Sequence, residues 1–207
     1  MINMKQERNT EQAIIEAACK IFQEKGFKEA TIRDIAAVAN INMAMVHYYF
    51  RSKEKLFFLV LNEAFSFLLE KVIKILTNDQ LDIFEKIRAI VGEYITFFAE
   101  KPYLPQFLMG EVIRNPERIG KQMLKNISFL NVFRTFSDQL EKEYEKGTIQ
   151  HISALSLLLN IISLCVFPAI VKPVVCKELN FDSTIFDHLI EGRKTDVADF
   201  IIKAIKI

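Results

Sequence analysis

Residues 31–56 read TIRDIAAVANINMAMVHYYFRSKEKL and predict two short helices, a tight turn between them and the start of a longer helix. Thr31 followed three residues later by Asp34 is the pattern of a capping box, in which side-chain oxygens accept the free N–H groups of a helix start. Asn40 falls in the turn, where its short polar side chain tolerates a left-handed backbone. Asn42 is then placed to cap the second helix.

The second short helix is predicted from Met43 to Tyr49, with Val46 and Phe50 pointing inward and Ser52 capping the helix that follows. Its other side chains lie nearer the surface: Met45, His47, Tyr48 and Tyr49. Two short helices at a steep angle are typical of a helix-turn-helix, whose second helix enters the major groove of DNA. Ordinary helical hairpins share this spacing, so the residue types have to separate the two interpretations.

Those residue types resemble the amino-terminal DNA-binding domain of the TetR (tetracycline-repressor) family of bacterial regulators. The resemblance begins in the helix around IIEAACKIFQEKGF, continues through the T-x-x-D-I-A opening and ends at Y-F-x-S-K-E-x-L. It covers roughly the first quarter of the chain. The chain departs from the family at His47, where the family usually has Tyr.

The resemblance implies a DNA-binding domain over residues 8–55, in which Tyr48 and Lys53 contact phosphates. Thr31 caps its helix, and the helix start would also face a phosphate. At the start of the recognition helix, methionine and alanine favour apolar contact with thymine methyl groups over bidentate hydrogen bonding. The alternative for Tyr48 and Lys53 is an exposed aromatic ring and a solvated charge. The full expected set of DNA contacts is Thr31, Asn42, Met43, Ala44, Met45, His47, Tyr48 and Lys53.

Composition predicts an all-α chain. Of 207 residues, 51% are hydrophobic and 18 are Phe, whereas only six are Gly and five are Pro, too few to mark evenly spaced strands. The net charge is +1. Up to Lys55 there are nine Lys and Arg against seven Asp and Glu, so the bias has the sign that DNA binding needs but is small.

Cysteine usage and the chain start favour a cytoplasmic protein. The three cysteines have no metal-ligand spacing to His151 or His188 and are interpreted as small hydrophobes in a reducing compartment. The opening MINMKQERNTEQ lacks the apolar core of a signal peptide. We expect no cofactor and no metal.

Helical periodicity continues to the end of the chain and predicts about nine helices in all: the three-helix DNA-binding unit, then a bundle over residues 56–207. The expected helices run over about 10–25, 53–76, 80–100, 105–113, 117–145, 152–171 and 184–205, besides the two short ones. We expect the bundle to bind a ligand and to form a homodimer, because one short recognition helix reads too few base pairs alone.

Residues 152–171 contain no charged side chain and, taken alone, are long enough to span a membrane. Pro168 interrupts the segment, and small polar residues at intervals of three, four and three dilute it on one face: Ser153, Ser156, Asn160 and Ser163. We therefore interpret it as a helix buried on several sides, with this stripe as a dimer seam or, alternatively, as part of a ligand cavity.

The surplus of Phe and Met between Phe84 and Phe136 indicates an apolar ligand pocket between bundle helices. Glu111 is the one acid of an apolar short helix and is more often exposed than a ligand contact. The expected ligand-binding residues are Tyr94, Phe98, Phe107, Glu111, Phe129, Phe133 and Asn160.

The sequence thus predicts a ligand-responsive transcriptional regulator, a repressor that binds a pseudo-palindromic operator in double-stranded DNA as a homodimer. A small apolar or amphipathic effector would release it. One alternative is a constitutive DNA-binding protein without an effector, and another is a membrane-tethered helical interaction protein. No triad, paired carboxylates or glycine-rich phosphate loop indicates an enzyme.

Overall fold

The structure is a computed structural model that describes residues 4–102, 104–114, 116–117 and 127–207; side chains are described from residue 10 onward, except at 64, 65, 106–108, 111, 114 and 127–129. Within these ranges every regular element is a helix. The helices are α1 (Met4–Glu29), α2 (Ile32–Val38), α3 (Met43–Phe50), α4 (Lys53–Leu76), α5 (Ile83–Glu100), α6 (Leu104–Arg114), α7 (Ile127–Glu145), α8 (Ala154–Pro173), a π turn (Val174–Glu178) and α9 (Ser183–Ile205). The all-α prediction is confirmed.

The chain forms two compact units, Met1–Phe67 and Leu68–Ile207. In the first unit, α1 buries the apolar face that its periodicity predicts, and the ring of Phe22 meets Phe57 of α4 edge-on at 4.6 Å between centroids. The backbone of Gly26 has φ 73°, which interrupts the helical path of α1 where a glycine end was predicted. Phe27, just after this kink, turns back so that its ring lies 4.8 Å from that of Phe57.

The observed α1 starts earlier than expected. The predicted start was a cap at Thr10, but the helix begins at Met4. Residues 4–12 contain Lys, Gln and Glu and neither Gly nor Pro, so nothing in the local sequence stops a helix from extending past Thr10.

In the second unit, α5 packs against both α8 and α9. Asp82 caps α5 and forms a capping box with Glu85, so the helix starts at Ile83, three residues later than the expected start at about residue 80. Ile87, Ile90 and Val91 are fully buried along the inner face of α5.

Lys86 of α5 is also buried, with 2% of its surface exposed. Its ammonium donates to the carbonyl oxygen of Leu76 and to Oε1 of Gln139, each at 2.8 Å. Burial lowers the pKa of Lys86, while the charge of Asp79 opposes this effect. The lysine therefore satisfies the end of α4 and joins it to α7.

Helix α8 contains Pro168, which has no N–H to donate to the carbonyl of Leu164 four residues earlier. Arg193 of α9 supplies the missing donor, with Nη2 2.9 Å from the Leu164 oxygen. Nε of Arg193 is buried without a hydrogen-bond partner among the described residues. A side chain from α9 thus supplies the hydrogen bond that Pro168 removes from α8.

One helical stretch of the described chain, Ala154–Glu178, is long and apolar enough to cross a membrane by length and composition, with a mean hydropathy of 2.4. This hydropathy is that of an 18-residue window of the stretch, and 28% of that window is buried. Leu157, Leu158 and Ile161 are buried within the protomer, and burial of the remaining apolar surface against a second protomer stays a prediction.

Candidate nucleic-acid interface

The cap of α2 is the capping box that the sequence predicts. The backbone N–H of Asp34 donates to Oγ1 of Thr31 at 3.1 Å, and the backbone N–H of Thr31 donates to Oδ2 of Asp34 at 3.0 Å. The Thr31 hydroxyl also donates to Oδ2, at 2.8 Å. Lys25 forms a 2.9 Å ion pair with Oδ1 of Asp34, so α1 is fastened to the start of α2.

This hydrogen bonding holds Asp34 in its charged form. The bond from Lys25 is the largest effect, the bonds from Thr31 add to it, and together they lower the pKa of Asp34 from 3.8 to about 2. The carboxylate is consequently ionised throughout the physiological range.

The turn and the second cap also follow the prediction. Asn40 has φ 54°, the left-handed conformation expected for it. Oδ1 of Asn42 accepts the N–H of Ala44 at 2.9 Å, which caps α3. Val46 and Phe50 are buried, so they fix the rotation of α3 about its own axis.

With Val46 and Phe50 inward, the opposite face of α3 is exposed. Met43, Met45 and Tyr48 expose 44%, 37% and 73% of their surfaces. Asn42, Ala44 and His47 are exposed beside them. The structure therefore brings six of the eight expected DNA-contacting residues onto one accessible helix face.

At the end of this face, the ring of Tyr48 lies edge-on to Tyr49, with centroids 5.3 Å apart. Nδ1 of His47 lies 3.5 Å from the carbonyl oxygen of Arg51. The phenol of Tyr48 thus projects furthest from the surface of α3 and suits contact with a phosphate.

Lys53 is placed differently from the expected solvated or phosphate-bound cation. Its ammonium donates to the carbonyl oxygens of Phe27 and Ala30 at 2.9 Å each and of Lys28 at 3.5 Å. It also lies 4.6 Å from the centroid of the Phe27 ring. An ammonium has three N–H donors, so these carbonyls occupy its hydrogen-bonding capacity. Lys53 joins the start of α4 to the segment that follows the Gly26 kink.

Two exposed arginines of the same unit were not singled out from sequence. Arg33 lies on α2, and Arg51 follows α3 with φ 62°. Their positions in the sequence could have indicated a role in DNA binding, because each arginine lies in or beside the helix-turn-helix. Guanidinium groups bind phosphates well.

The expected ligand-binding residues are only partly brought together. Tyr94 and Phe98 are neighbours on α5, with ring centroids 6.3 Å apart, and burial raises the pKa of Tyr94 to about 12. Phe133 is half-buried on α7, and Asn160 is exposed on α8. The side chains of Phe107, Glu111 and Phe129 lie outside the described residues.

Comparison with known proteins identifies the amino-terminal unit. Residues 14–60 match the family model described as bacterial regulatory proteins, tetR family. The HTH-type transcriptional repressor NicS of Pseudomonas putida is 31% identical over 110 residues, 53% of this chain and 51% of NicS, so the chain spans about half the length of that relative. IcaR of Staphylococcus aureus, the HTH-type negative transcriptional regulator of the biofilm operon icaADBC, is 26% identical over 137 residues, 66% of this chain and 70% of IcaR.

Solved structures share the fold over the whole chain. A TetR/AcrR-family transcriptional regulator from Thermobifida fusca gives a TM-score of 0.65 at 16% identity, covering 94% of this chain and 97% of that one. FadR from Bacillus subtilis, in complex with stearoyl-CoA, gives a TM-score of 0.62 at 15% identity. The match covers 93% of this chain and 98% of FadR. The amino-terminal unit is a helix-turn-helix DNA-binding domain. Over residues 14–60 the chain matches the tetR family of bacterial regulatory proteins, and the described fold is similar to that of solved TetR-family regulators.

Proposed function

We propose that the chain is a ligand-responsive transcriptional repressor, which binds a pseudo-palindromic operator as a homodimer and leaves it when a small amphipathic molecule binds. The observation that carries this proposal is the exposed face of α3 in a fully capped helix-turn-helix. NicS is a repressor and IcaR a negative regulator, which supports repression over activation. Such a regulator would act in the cytoplasm, where bacterial DNA lies.

Residues 8–55 would bind the operator, and residues 56–207 would bind the effector and the second protomer. In the first part, Met43, Ala44 and Met45 would meet base edges, while Tyr48 and His47 would contact phosphates. Asn42 and Thr31 would position their helices, and Lys53 would hold α4 against α1.

The dimer contact would use the uncovered faces of α8 and α9. Leu155, Leu159 and Phe167 of α8 expose more than half of their surfaces, and so do Ile185 and Phe200 of α9. Large exposed apolar side chains on two helices that pack together favour an interface.

Three members of the small polar stripe, Ser156, Asn160 and Ser163, are exposed on the same face of α8, while Ser153 caps the helix. Small side chains let a symmetry-related helix approach closely, so this placement supports the seam interpretation of the stripe.

The effector part of the proposal rests on the second unit. It contains a cleft of about 750 Å³, a volume suited to a small molecule. FadR, of similar fold, holds stearoyl-CoA. The constitutive alternative, a DNA-binding protein without an effector, would leave this cleft without a role.

The test uses fluorescence-labelled DNA fragments from both sides of the protein's own coding region. We expect a footprint with two half-sites about 34–36 Å apart, centre to centre, and a complex of two protomers. A chain that remains monomeric at micromolar concentration and shifts no fragment would contradict the proposal. Sedimentation without detergent tests the membrane alternative, since a tethered protein would pellet with lipid vesicles.

A further inference from the structure

The cleft of the second unit lies between the end of α5, the second half of α8, the π turn and the start of α9. Its volume of about 750 Å³ lies within the range of small-molecule sites. Of the residues expected from sequence to bind a ligand, Phe98 is the one among its described lining. The kind of ligand that the cleft would bind therefore has to be inferred from lining residues that the sequence analysis did not predict.

The wall of the cleft is apolar and aromatic. Ile95 and Phe98 contribute from α5, Cys165 from α8, and Phe186 from α9. All four are buried, and burial raises the pKa of the Cys165 thiol to about 12, so this side chain stays neutral. This wall suits the hydrocarbon or aromatic body of a ligand.

The charged residues that line the cleft are two lysines and two acids: Lys172, Lys177, Asp187 and Glu191. Lys172 forms an ion pair with Asp187, and Glu191 forms one with Lys194 at 2.6 Å. Lys177, on the π turn, is exposed and makes no hydrogen bond or ion pair with the described part of the chain. Lys177 is therefore the lining cation whose charge no ion pair with the described residues compensates.

The backbone beside this charge is also irregular. Pro173 ends α8 and cannot donate an N–H to the carbonyl of Ala169, which lines the cleft. The π turn follows at once and carries Lys177. Single π turns are common at functional sites, since they reposition side chains that a regular helix would place elsewhere.

We propose that this cleft binds an amphipathic monoanion, whose apolar body lies against Phe98 and Phe186 and whose carboxylate or sulfonate meets the ammonium of Lys177. This deepens the proposed function by assigning the effector a site and a chemical class. Binding of the anion to the cleft does not depend on the proposed function. Only the effect of the anion on operator binding does.

A second protomer is a poor occupant of the cleft. At about 100° per residue, Phe167 of α8 points roughly opposite to Cys165, Ala169 and Lys172, which line the cleft. On α9, Phe200 lies ten residues beyond Ile190, about 15 Å farther along the helix axis. The dimer contact proposed above therefore leaves the cleft accessible.

The test measures binding of three ten-carbon probes to the full chain by calorimetry: decanoate, decan-1-ol and decyltrimethylammonium. We expect decanoate to bind roughly tenfold more tightly than the alcohol, about 1.4 kcal/mol, and the cation to bind least. Methyl NMR should place the perturbations at Ile95 and Ile190. Equal affinity for all three probes, or perturbations confined to Leu155 and Leu159, would overturn the proposal.

Charge variants give the second arm of the experiment. Lys177→Gln should weaken decanoate by roughly five- to tenfold and leave decan-1-ol unchanged, since only the anion uses the ammonium. Lys203→Gln, an exposed lysine of α9 outside the cleft, is the matched control and should change neither. Equal effects of the two variants would also overturn the proposal.

Operator binding is measured separately, so the two proposals fail independently. Decanoate binding that depends on Lys177, in a protein that binds no promoter fragment, would support the cleft site and contradict the repressor. Operator binding in a protein that takes up no decanoate would do the reverse.

Discussion

At the scale of single residues, Lys53 has a structural role inside the DNA-binding unit, besides the phosphate contact that stays a prediction. Its ammonium is held by the carbonyls of Phe27 and Ala30, which follow the Gly26 kink. Those carbonyls end a helical segment and need donors from elsewhere. The lysine therefore stabilises the domain that presents α3.

We predict that Lys53→Met lowers the melting temperature and weakens operator binding while the salt dependence of binding stays unchanged. The loss of these bonds leaves carbonyls unpaired, at a cost of about 1–3 kcal/mol. Lys55→Met, at an exposed lysine two residues on, is the control and should leave the melting temperature unchanged. A salt slope smaller by about one unit for Lys53→Met would instead indicate the phosphate contact that the family resemblance implies.

Asp34 gives a pH-dependent prediction at the same scale. Its pKa is lowered to about 2, so its contribution to stability is complete above its ordinary value of 3.8 and is lost as pH falls towards 2. The difference in melting temperature between the native chain and Asp34→Asn should thus be largest near neutral pH and close between about pH 4 and 2. A difference that stays constant over pH 2–7 would exclude this carboxylate as the source.

At the scale of elements, the sequence predicted features that depend on neighbouring residues, such as helix caps. It missed features that depend on how distant helices pack together. The caps at Thr31, Asn42 and Ser52 depend on residues two or three positions away, and all three form. The bounds of α4 were predicted as observed. Helical periodicity puts Phe67 on the same face of α4 as the buried Val60, yet Phe67 is 51% exposed, because periodicity does not determine which neighbour covers a face.

The cleft and the Lys53 contacts were beyond sequence reasoning for the same reason. Lys53 meets carbonyls 23 to 26 residues earlier in the chain. The cleft joins segments that range from Ile95 to Glu191. No short sequence pattern encodes contacts between residues so far apart in the chain. These contacts can be identified only once the packing of the helices is known.

Helix α8 provides a prediction about assembly. Leu159→Glu places a charge on its exposed apolar face, and its symmetry mate would place a second one in the same contact. We expect this variant to be monomeric in analytical ultracentrifugation and to lose operator binding. Leu130→Glu, at an exposed leucine of α7, is the control. A dimeric Leu159→Glu protein that binds DNA normally would show that the dimer interface lies elsewhere. Ser163→Phe would then test whether the small polar stripe lines a ligand cavity.

At the scale of the whole molecule, effector and operator must influence each other equally. If decanoate weakens operator binding about a hundredfold, near 3 kcal/mol, saturating operator must weaken decanoate binding by the same factor. Two titrations measure this: operator with and without decanoate, and decanoate with and without operator. Unequal factors would mean that the two ligands do not act on one shared equilibrium, and factors near one would favour the constitutive alternative.

The pairing of Pro168 with Arg193 restricts the order in which mutations can accumulate. Arg193 donates to the carbonyl that Pro168 leaves without a partner, so losing the arginine first should cost about 1 kcal/mol and lower the melting temperature by roughly 2–4 °C. Pro168→Ala restores the helical N–H, and Arg193→Met should then cost much less. Melting curves of the two single variants and the double variant test this dependence. A descendant lineage can therefore discard the proline and later the arginine, whereas the opposite order passes through a weakened intermediate.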